Sequence, residues 1–573
     1  FGLVKVFERW DPARKINTMF WPQGEGDYRM QNPYWIAYRN LRLNQKKRYM
    51  LSAQLSYDIT DWLNISGRVR VDNTHTKYEQ KLYASSNLTI TEESTQGHYT
   101  SSKPDETQTY ADVLANINKR FNDFSLVANV GASIVNNRYE DLSYRGPIRE
   151  KGIPNVFNVF DLDNTKKKAR QDEWQEQTQS VFASVEVGWK SMLYLTLTGR
   201  NDWASQLANS STPCFFYPSV GLSGVISEML TLPEFIDYMK VRGSFSSVGM
   251  PYPRNLTSPT YEYDEANQQW KPKTHYPIKD LKPERTNSWE LGLDMRLFKD
   301  FSLGFSWYLA NTFNQTFDPK VSVSSGYSKI YLQTGYVRNS GVELSLGYGH
   351  TWNNHLHWES NFTLSHNKNT IKDLVTSYIH PETGLPITQN RLDVGGLGKA
   401  RFILKKGGTL GDLYTQSDLK RDNNGMVEID PSGALTTEDN LPDIKLGSVF
   451  PKANLAWNNR FEWRGISLSA LFTARIGGIA YSATQAAMDQ YGVSERSAQA
   501  RDNGGVLLNG RTLVDAQTYY SLIGNSSGLP QYYTYSATNV RLQEASVGYT
   551  IPRKWLGGVC DINVSVVGRN LWM

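Results

Sequence analysis

The chain has 573 residues, enough for several soluble domains or one large barrel, and 12% of them are aromatic while only 20% are charged. Its 61 basic and 56 acidic residues leave a net charge of +5, too near balance to point to a nucleic-acid partner. Mean hydropathy is −0.51 and no run of about 18 apolar residues occurs, which excludes a membrane helix but not a membrane-spanning β-barrel, whose strands need only about 9–11 alternating residues.

Residues 1–46 lack periodicity and scatter Trp10, Trp21, Tyr28, Tyr34 and Trp35 among Pro, Gly, Asn and charges, which reads as a long loop. Leu51, Ala53, Leu55 and Tyr57 then alternate with polar residues. A short turn at Ile59–Trp62 leads into Leu63, Ile65, Gly67, Val69 and Val71, interleaved with Asn64, Ser66, Arg68, Arg70 and Asp72. Successive strand side chains point to opposite faces, so this is a hairpin with one apolar and one polar face.

The same unit recurs along the chain, most clearly at 281–315. There Trp289, Leu291, Leu293, Met295 and Leu297 alternate with Ser288, Glu290, Gly292, Asp294 and Arg296. After a turn at Phe298–Phe301, Leu303, Phe305, Trp307 and Leu309 alternate with small or polar residues. Further short turns fall near Phe121–Asp123, Gly188–Ser191, Ser227–Asp237, Gly349–His355, Trp463–Gly465 and Ile551–Cys560. Between the hairpins lie long polar segments, roughly 73–104, 138–175, 201–215, 250–286, 313–330, 368–442 and 480–537. Short connections alternate with long ones, the pattern of an up-and-down barrel with short periplasmic turns and long extracellular loops. Eight short turns predict about sixteen strands. Trp62, Trp189, Phe298, Trp352, Trp358, Trp463 and Trp555 flank those turns and suit an aromatic girdle.

Several motifs resemble a known family. LKPERTNSWELGLDMRLF, GRNDWAS followed by FFYPSVGLS, NSGVELSLGY, FPKANLAWNNRFEWRGISLSALFTARIGG, and NVRLQEASVGYTIP with VVGRNLW resemble the SusC-like (SusC/RagA type) TonB-dependent transporters of Bacteroidetes outer membranes. The resemblance runs from about residue 20 to the last residue and implies an all-β fold, a transmembrane antiparallel barrel of 22 strands closed by a plug. On that reading residues 1–573 are a barrel fragment covering roughly strands 6 to 21, starting in an extracellular loop. The N-terminal extension, the plug, the first strands and the last strand would lie outside it, and the functional protein would be longer, because unpaired strand edges are not viable in lipid. The family further implies a SusD-like surface lipoprotein lid, energy from TonB, an oligosaccharide or oligopeptide substrate, and a pair of transporter–lid units.

Candidate functional residues follow from the same pattern. Arg68, Arg70, Glu186, Arg200, Asp294, Arg296 and Glu343 fall on the polar, lumen-facing side. Aromatic side chains in the long segments are candidates for contact with sugar rings or peptide, since they offer apolar contact beside hydrogen-bonding groups: Trp203, Phe215, Phe216 and Tyr217; Tyr261, Tyr263 and Trp270; Tyr519 and Tyr520. The bland reading of each is loop packing or contact with a lid.

His350, His355, His357 and His366 cluster, but without acidic or cysteine ligands they read as an interfacial turn rather than a metal site. RDNNGMVEID at 421–430 fails the calcium-loop pattern at both ends, where Lys420 and Pro431 stand, and reads as a turn. Cys214 and Cys560 are predicted at opposite ends of the barrel and inert. No nucleophile–base pair, phosphate loop or paired carboxylates stand out, so no enzyme and no cofactor is expected. The expected function is TonB-dependent import of a glycan or peptide across a Gram-negative outer membrane. The alternatives are a passive porin, or a surface glycan-binding β protein without transport.

Overall fold

The computed structural model describes residues 6–20, 31–208, 210–250, 254, 261–264, 269–272, 275–276, 283–317, 329–330, 332–352, 355–379, 386–525 and 528–573. Among them sixteen antiparallel strands of 11 to 24 residues carry the alternating segments. In chain order they are β1 Asn40–Thr60, β2 Leu63–Tyr83, β3 Asp105–Phe121, β4 Phe124–Pro147, β5 Lys168–Trp189, β6 Leu193–Ala204, β7 Cys214–Val225 and β8 Ile236–Met250. They continue with β9 Glu284–Leu297, β10 Phe301–Phe317, β11 Leu332–Trp352, β12 Leu356–Asp373, β13 Ala453–Trp463, β14 Ile466–Ile476, β15 Asn539–Ile551 and β16 Ile562–Trp572. The expected strand number is met.

The chain divides into two units, one of Phe1–Asn118, Ala128–Ala183 and Arg200–Gln206, the other of Lys119–Val127, Ser184–Gly199 and Leu207–Met573. In the first, β1 pairs with β2 from Asn40↔Leu82 to Thr60↔Leu63, and β2 pairs on its other side with β3. This register puts Leu51 beside Val71 and Val69 beside Ala111 on one face, and Arg68 beside Asp112 on the other. The apolar face stays open: Leu55, Val69 and Val113 are exposed. In the second unit the rule extends over seven strands. Leu293, Phe305, Leu344, Leu364, Leu455, Ala474 and Val540 form one unbroken apolar row across β9 to β15. The neighbouring row on the opposite face reads Asp294, Gly304, Ser345, Thr363, Ala456, Thr473 and Arg541.

The short turns are made by residues that accept positive φ. Arg464 (φ 48°) and Gly465 (φ 90°) close the two-residue hairpin between β13 and β14, the backbone that suits the twist of the strands it joins. Phe298 and Lys299 also have positive φ, and Asp237 accepts the Lys299 N–H at 2.5 Å. Aromatic rings gather at this end: Phe298 stacks on Phe235 (5.6 Å), Phe301 meets Tyr348 (4.7 Å), and Trp358 stacks on Phe461 (5.6 Å).

The opposite end departs from the loop reading. Residues 1–46 hold a hairpin (Glu8–Asp11 with Ile16–Met19), a helix Pro33–Arg39 and the start of β1. Asn32 caps that helix, and Trp35 is fully buried with its Nε1–H donated to Ser86 Oγ at 2.9 Å. β2 runs on to Tyr83, and a six-residue strand, Gly97–Ser102, pairs with its end. Here polar and apolar residues are buried on both faces, His98 next to Tyr99, so alternation fades although pairing continues.

The segments 368–442 and 480–537 are likewise not plain loops. Arg391–Leu397, Ala400–Lys405, Asp412–Thr415 and Ile444–Ser448 form a four-stranded sheet. Helices Ala483–Gln490, Glu495–Asp502 and Ala516–Ile523 are N-capped by Ser482, Ser494 and Asp515. The two segments share a core in which Leu419, Val427 and Leu435 meet Val514, Tyr519, Ile523, Leu529 and Tyr533. Asp489, almost fully buried, is bound by Arg496, Ser494 and Gln485; burial opposes its charge, yet these partners hold its pKa below the usual value. Asp443 accepts a two-pronged bond from Arg391 (2.7 and 2.9 Å) and pairs with Lys405 at 2.8 Å. Its pKa falls to about 2, chiefly through the Arg391 bond.

Two predictions follow from this architecture. In the full-length protein folded into lipid vesicles, Leu344→Arg, on the apolar face away from the aromatic end, costs about 2–4 kcal/mol by reversible denaturant unfolding. Its neighbour Ser345→Arg, on the polar face, stays within about 0.5 kcal/mol of the parent, and equal costs would overturn the assignment of faces. The second concerns acid. Asp443 has a depressed folded pKa, so its contribution is fully present above pH 3.8 and is lost as pH falls toward 2. Hydrogen exchange in residues 391–448 should quicken over that window in the parent and change little in Asp443→Asn; an identical profile in both would count against the pairing.

Candidate functional site

The polar faces of the strands supply the chemistry. In the second unit, Arg242, Asp294, Ser306, Glu343, Arg475 and Arg541 line a cavity of about 680 Å³. Arg242 donates to Asp294 (2.6 Å) and Ser306 Oγ (2.7 Å), and lies 3.4 Å from Glu290. Gly292 makes room for this network, because a Cβ there would sit 2.5 Å from Arg242 Nε. Arg475 donates to the Val449 carbonyl at 2.6 Å, while its Nε is buried without a partner. Arg541 donates to Asn539 at 3.1 Å. Basic and acidic groups alternate here with Ser, Thr and Asn. Such a wall can hydrogen-bond a hydroxylated or amide-bearing chain in many registers without gripping it at one point.

The seven residues expected on the polar side make the following contacts. Arg68 pairs with Asp112 at 2.7 Å, Arg70 donates to Gln108 at 3.1 Å, and both guanidinium groups face the Tyr110 ring at 5.2 and 5.3 Å. Arg200 bridges Asp202 and Ser180, each at 2.7 Å, and lies over Phe182. Glu186 accepts from Thr196 at 3.2 Å. Asp294 and Glu343 line the cavity, and Arg296 stands opposite Ser302 on the same face as Asp294. Sequence reasoning passed over Arg242, Arg475 and Arg541, although each occupies a polar-face position of its strand and parity alone would have found them.

The aromatic candidates separate. Trp203 is not in a loop: β6 extends to Ala204, and Trp203 shares the parity of Leu195 and Leu197. It borders an apolar groove of about 660 Å³ with Leu55, Val69, Val113, Ile134 and Val181, on the face away from Arg200. Its polar neighbours in the sequence, Asn201 and Asp202, concealed the strand's continuation. Phe215 is buried edge-on against Tyr217 at 4.8 Å, and Phe216 is exposed with its ring close over Gly199. Tyr261–Asp264 and Gln269–Pro272 form a hairpin that sets Tyr263 opposite Trp270. Trp270 is exposed, while the side chains of Tyr261 and Tyr263 lie outside the described residues. Tyr519 is buried in the core shared by the two folded segments, which removes it from the surface, and Tyr520 lies half-buried beside it at 5.2 Å. Burial raises the pKa of both phenols.

The histidines do not converge. His350 pairs with Asp300 at 2.8 Å, His357 bonds Thr351 at 2.9 Å, and His366 bonds the Lys452 carbonyl at 2.5 Å. Among the described residues no three His, Cys, Asp or Glu side chains group as metal ligands. Asp422 spends one carboxylate oxygen on the N–H groups of Asn424 and Met426, which makes its segment a turn.

Comparison with known proteins bears on this arrangement. Residues 5–571 match the family model described as TonB dependent receptor-like, beta-barrel. The chain is similar to TonB-dependent receptor P3 of Formosa agariphila, 22% identical over 452 residues, covering 73% of this chain and 43% of that protein. TonB-dependent receptor P26 of the same organism is 23% identical over 448 residues, covering 72% and 43%. The chain thus spans about two-fifths of the length of these relatives. Among solved structures, that of the RagAB peptide transporter superposes with a TM-score of 0.73 at 16% identity, covering 99% of this chain and 61% of that one. A second structure of RagAB, the peptide importer in its open-open state, gives the same TM-score. These likenesses agree in fold with the two-faced strands above. The family is one of outer-membrane transporters and receptors, not an enzyme class. The chain belongs to the TonB-dependent receptor-like β-barrel family, and its fold, nearly all β with antiparallel strands, is like that of the RagAB structures.

Proposed function

We propose that the full protein imports an oligomeric nutrient across the outer membrane by TonB-dependent active transport, with a SusD-like lipoprotein as its lid. The family match over residues 5–571 carries this reading. The chain then corresponds to roughly strands 6 to 21 of a 22-stranded barrel. Its long-loop end faces the cell exterior and its short turns face the periplasm. TonB acts through a segment outside this chain, and two transporter–lid units pair.

The polar strand faces line the path. Arg68, Arg70, Glu186, Arg200, Asp294, Arg296 and Glu343, with Arg242 and Arg541, are the polar-face side chains proposed to meet the cargo. Trp270, Tyr217 and Tyr520 are the aromatic side chains placed to touch it or the lid. A glycan is the first reading of the cargo. A peptide is the second, favoured by the fold likeness to RagAB, a peptide importer.

The test is mass spectrometry on the full-length protein extracted from outer membranes in detergent. The expected result is a stoichiometric lipoprotein partner, with any bound oligomer identifying the cargo class. A barrel that purifies alone, with neither partner nor oligomer, would count against a lidded importer.

A further inference from the structure

At the long-loop end of the first unit is a second cavity, of about 850 Å³, that none of the residues discussed above accounts for. Its floor is a cross-strand row. Arg42 on β1 stands opposite Gln80 on β2, Gln80 opposite Thr100 of the Gly97–Ser102 strand, and Thr100 opposite Arg145 on β4. The next row is Asn40, Leu82, His98 and Pro147. In β2 this is the parity of Arg68 and Arg70, so the cavity opens on the polar face. The turn carrying Thr89, Ile90 and Glu92 forms its wall.

The charges in it are unevenly matched. Arg145 pairs with Glu92 at 3.0 Å. Arg42 stands on β1, which pairs with β2, and lines the same cavity. His98 lines the cavity with 5% of its surface exposed, its Nε2 3.6 Å from Glu92 and its Nδ1 buried with no partner. A buried ring nitrogen without a partner is uncommon in a folded protein and marks a place where another group belongs. Burial holds the imidazole below its usual pKa of 6.5, opposed by Glu92 and reinforced by Arg145. Its Nε2 faces the Glu92 carboxylate, which places the ring's N–H there and leaves Nδ1 an acceptor. Glu92 is the one acidic group lining the cavity, where two guanidinium groups, those of Arg42 and Arg145, also stand. Arg42 and Arg145 stand three strand spacings apart, about 14 Å between backbones, and their side chains are long enough to close on a small anion between them.

We infer that this cavity is an anion-recognition subsite, in which Arg42 and Arg145 bind a carboxylate or sulfate group carried by the cargo and the unpartnered His98 Nδ1 accepts a hydrogen bond from a hydroxyl or amide beside it. A guanidinium offers a planar fork that matches such oxyanions and keeps its charge at any pH the cell meets. Glu92 holds Arg145 in place while the cavity is empty of cargo and gives way when a stronger oxyanion enters. The subsite would select acidic oligomers over neutral ones at the mouth of the lumen. It rests on the importer reading for its meaning, since it needs the polar face to be the cargo path, but the binding itself needs no transport.

The test uses the purified full-length protein in detergent and calorimetric titration with sodium sulfate, then with sodium glucuronate, at constant ionic strength held by chloride. Saturable binding is expected, weakened about tenfold or more in Arg42→Gln and in Arg145→Gln, the loss of one charge-assisted bond. It should be unchanged in Arg464→Gln, a surface arginine at a short turn. Tighter glucuronate than sulfate binding would assign carboxylated cargo, and the reverse sulfated cargo. Absence of saturable binding of either anion, or equal binding by parent and both variants with unchanged thermal melts, would overturn the proposal. Because no energised membrane is involved, a negative result here leaves the importer reading standing. A failed importer test likewise leaves the binding measurable.

Discussion

Inside a bilayer no water is present to satisfy a backbone N–H or C=O, so each strand must spend its backbone on its neighbours. That requirement dictates the two-faced strand. Once the ladder is fixed, side chains alternate by necessity, one set against lipid and the other against the lumen. The row from Leu293 to Val540 and the adjoining row from Asp294 to Arg541 are two consequences of one register. A slip of one residue in any pair would put Asp294 in lipid and Leu293 in water, which is why long strands with an uncompromised alternation hold their alignment so firmly.

The same constraint explains what could be read from the amino-acid order. Where lipid bounds one face, the alternation is strong, and strands such as β9, β10 and β14 were evident with their turns. Where the strands rise past the bilayer the selection disappears. Lys46, Lys47 and Arg48 therefore concealed the start of β1, and Asn201 and Asp202 concealed the end of β6, so that Trp203 was taken for a loop residue. The helices around Tyr519 were missed for a different reason. They are three short, capped segments whose apolar residues serve a local core with a distant stretch of chain, and periodicity over eight residues is too brief to show it. The charges of the polar strand faces were legible because parity is a local property. Which of them share a cavity, as Arg242 does with Glu343 and Arg541, depends on register between strands and was not.

The segments beyond the strands are built, not merely tolerated. The four-stranded sheet is clamped by Asp443 with Arg391 and Lys405, and the helical segment by Asp489 with Arg496. Each clamp places a well-shielded carboxylate between groups that keep it charged. Segments with their own cores can present a fixed surface to a lid or a cargo, where flexible loops of equal length would lose that definition to conformational entropy. The polar strand faces differ in kind. Their charges are mostly paired along the wall, as Arg68 is with Asp112, so they offer many weak contacts and no deep trap, which suits passage more than storage.

The claim on which the whole account turns is that the lumen of the complete protein is an energised path and not an open hole. The measurement that addresses it most directly is conductance of the purified full-length protein in a planar bilayer. The account predicts no steady open-channel current, because a lumen that TonB must open stays shut without it. A stable, large conductance from the isolated protein would contradict the account and make this a passive pore.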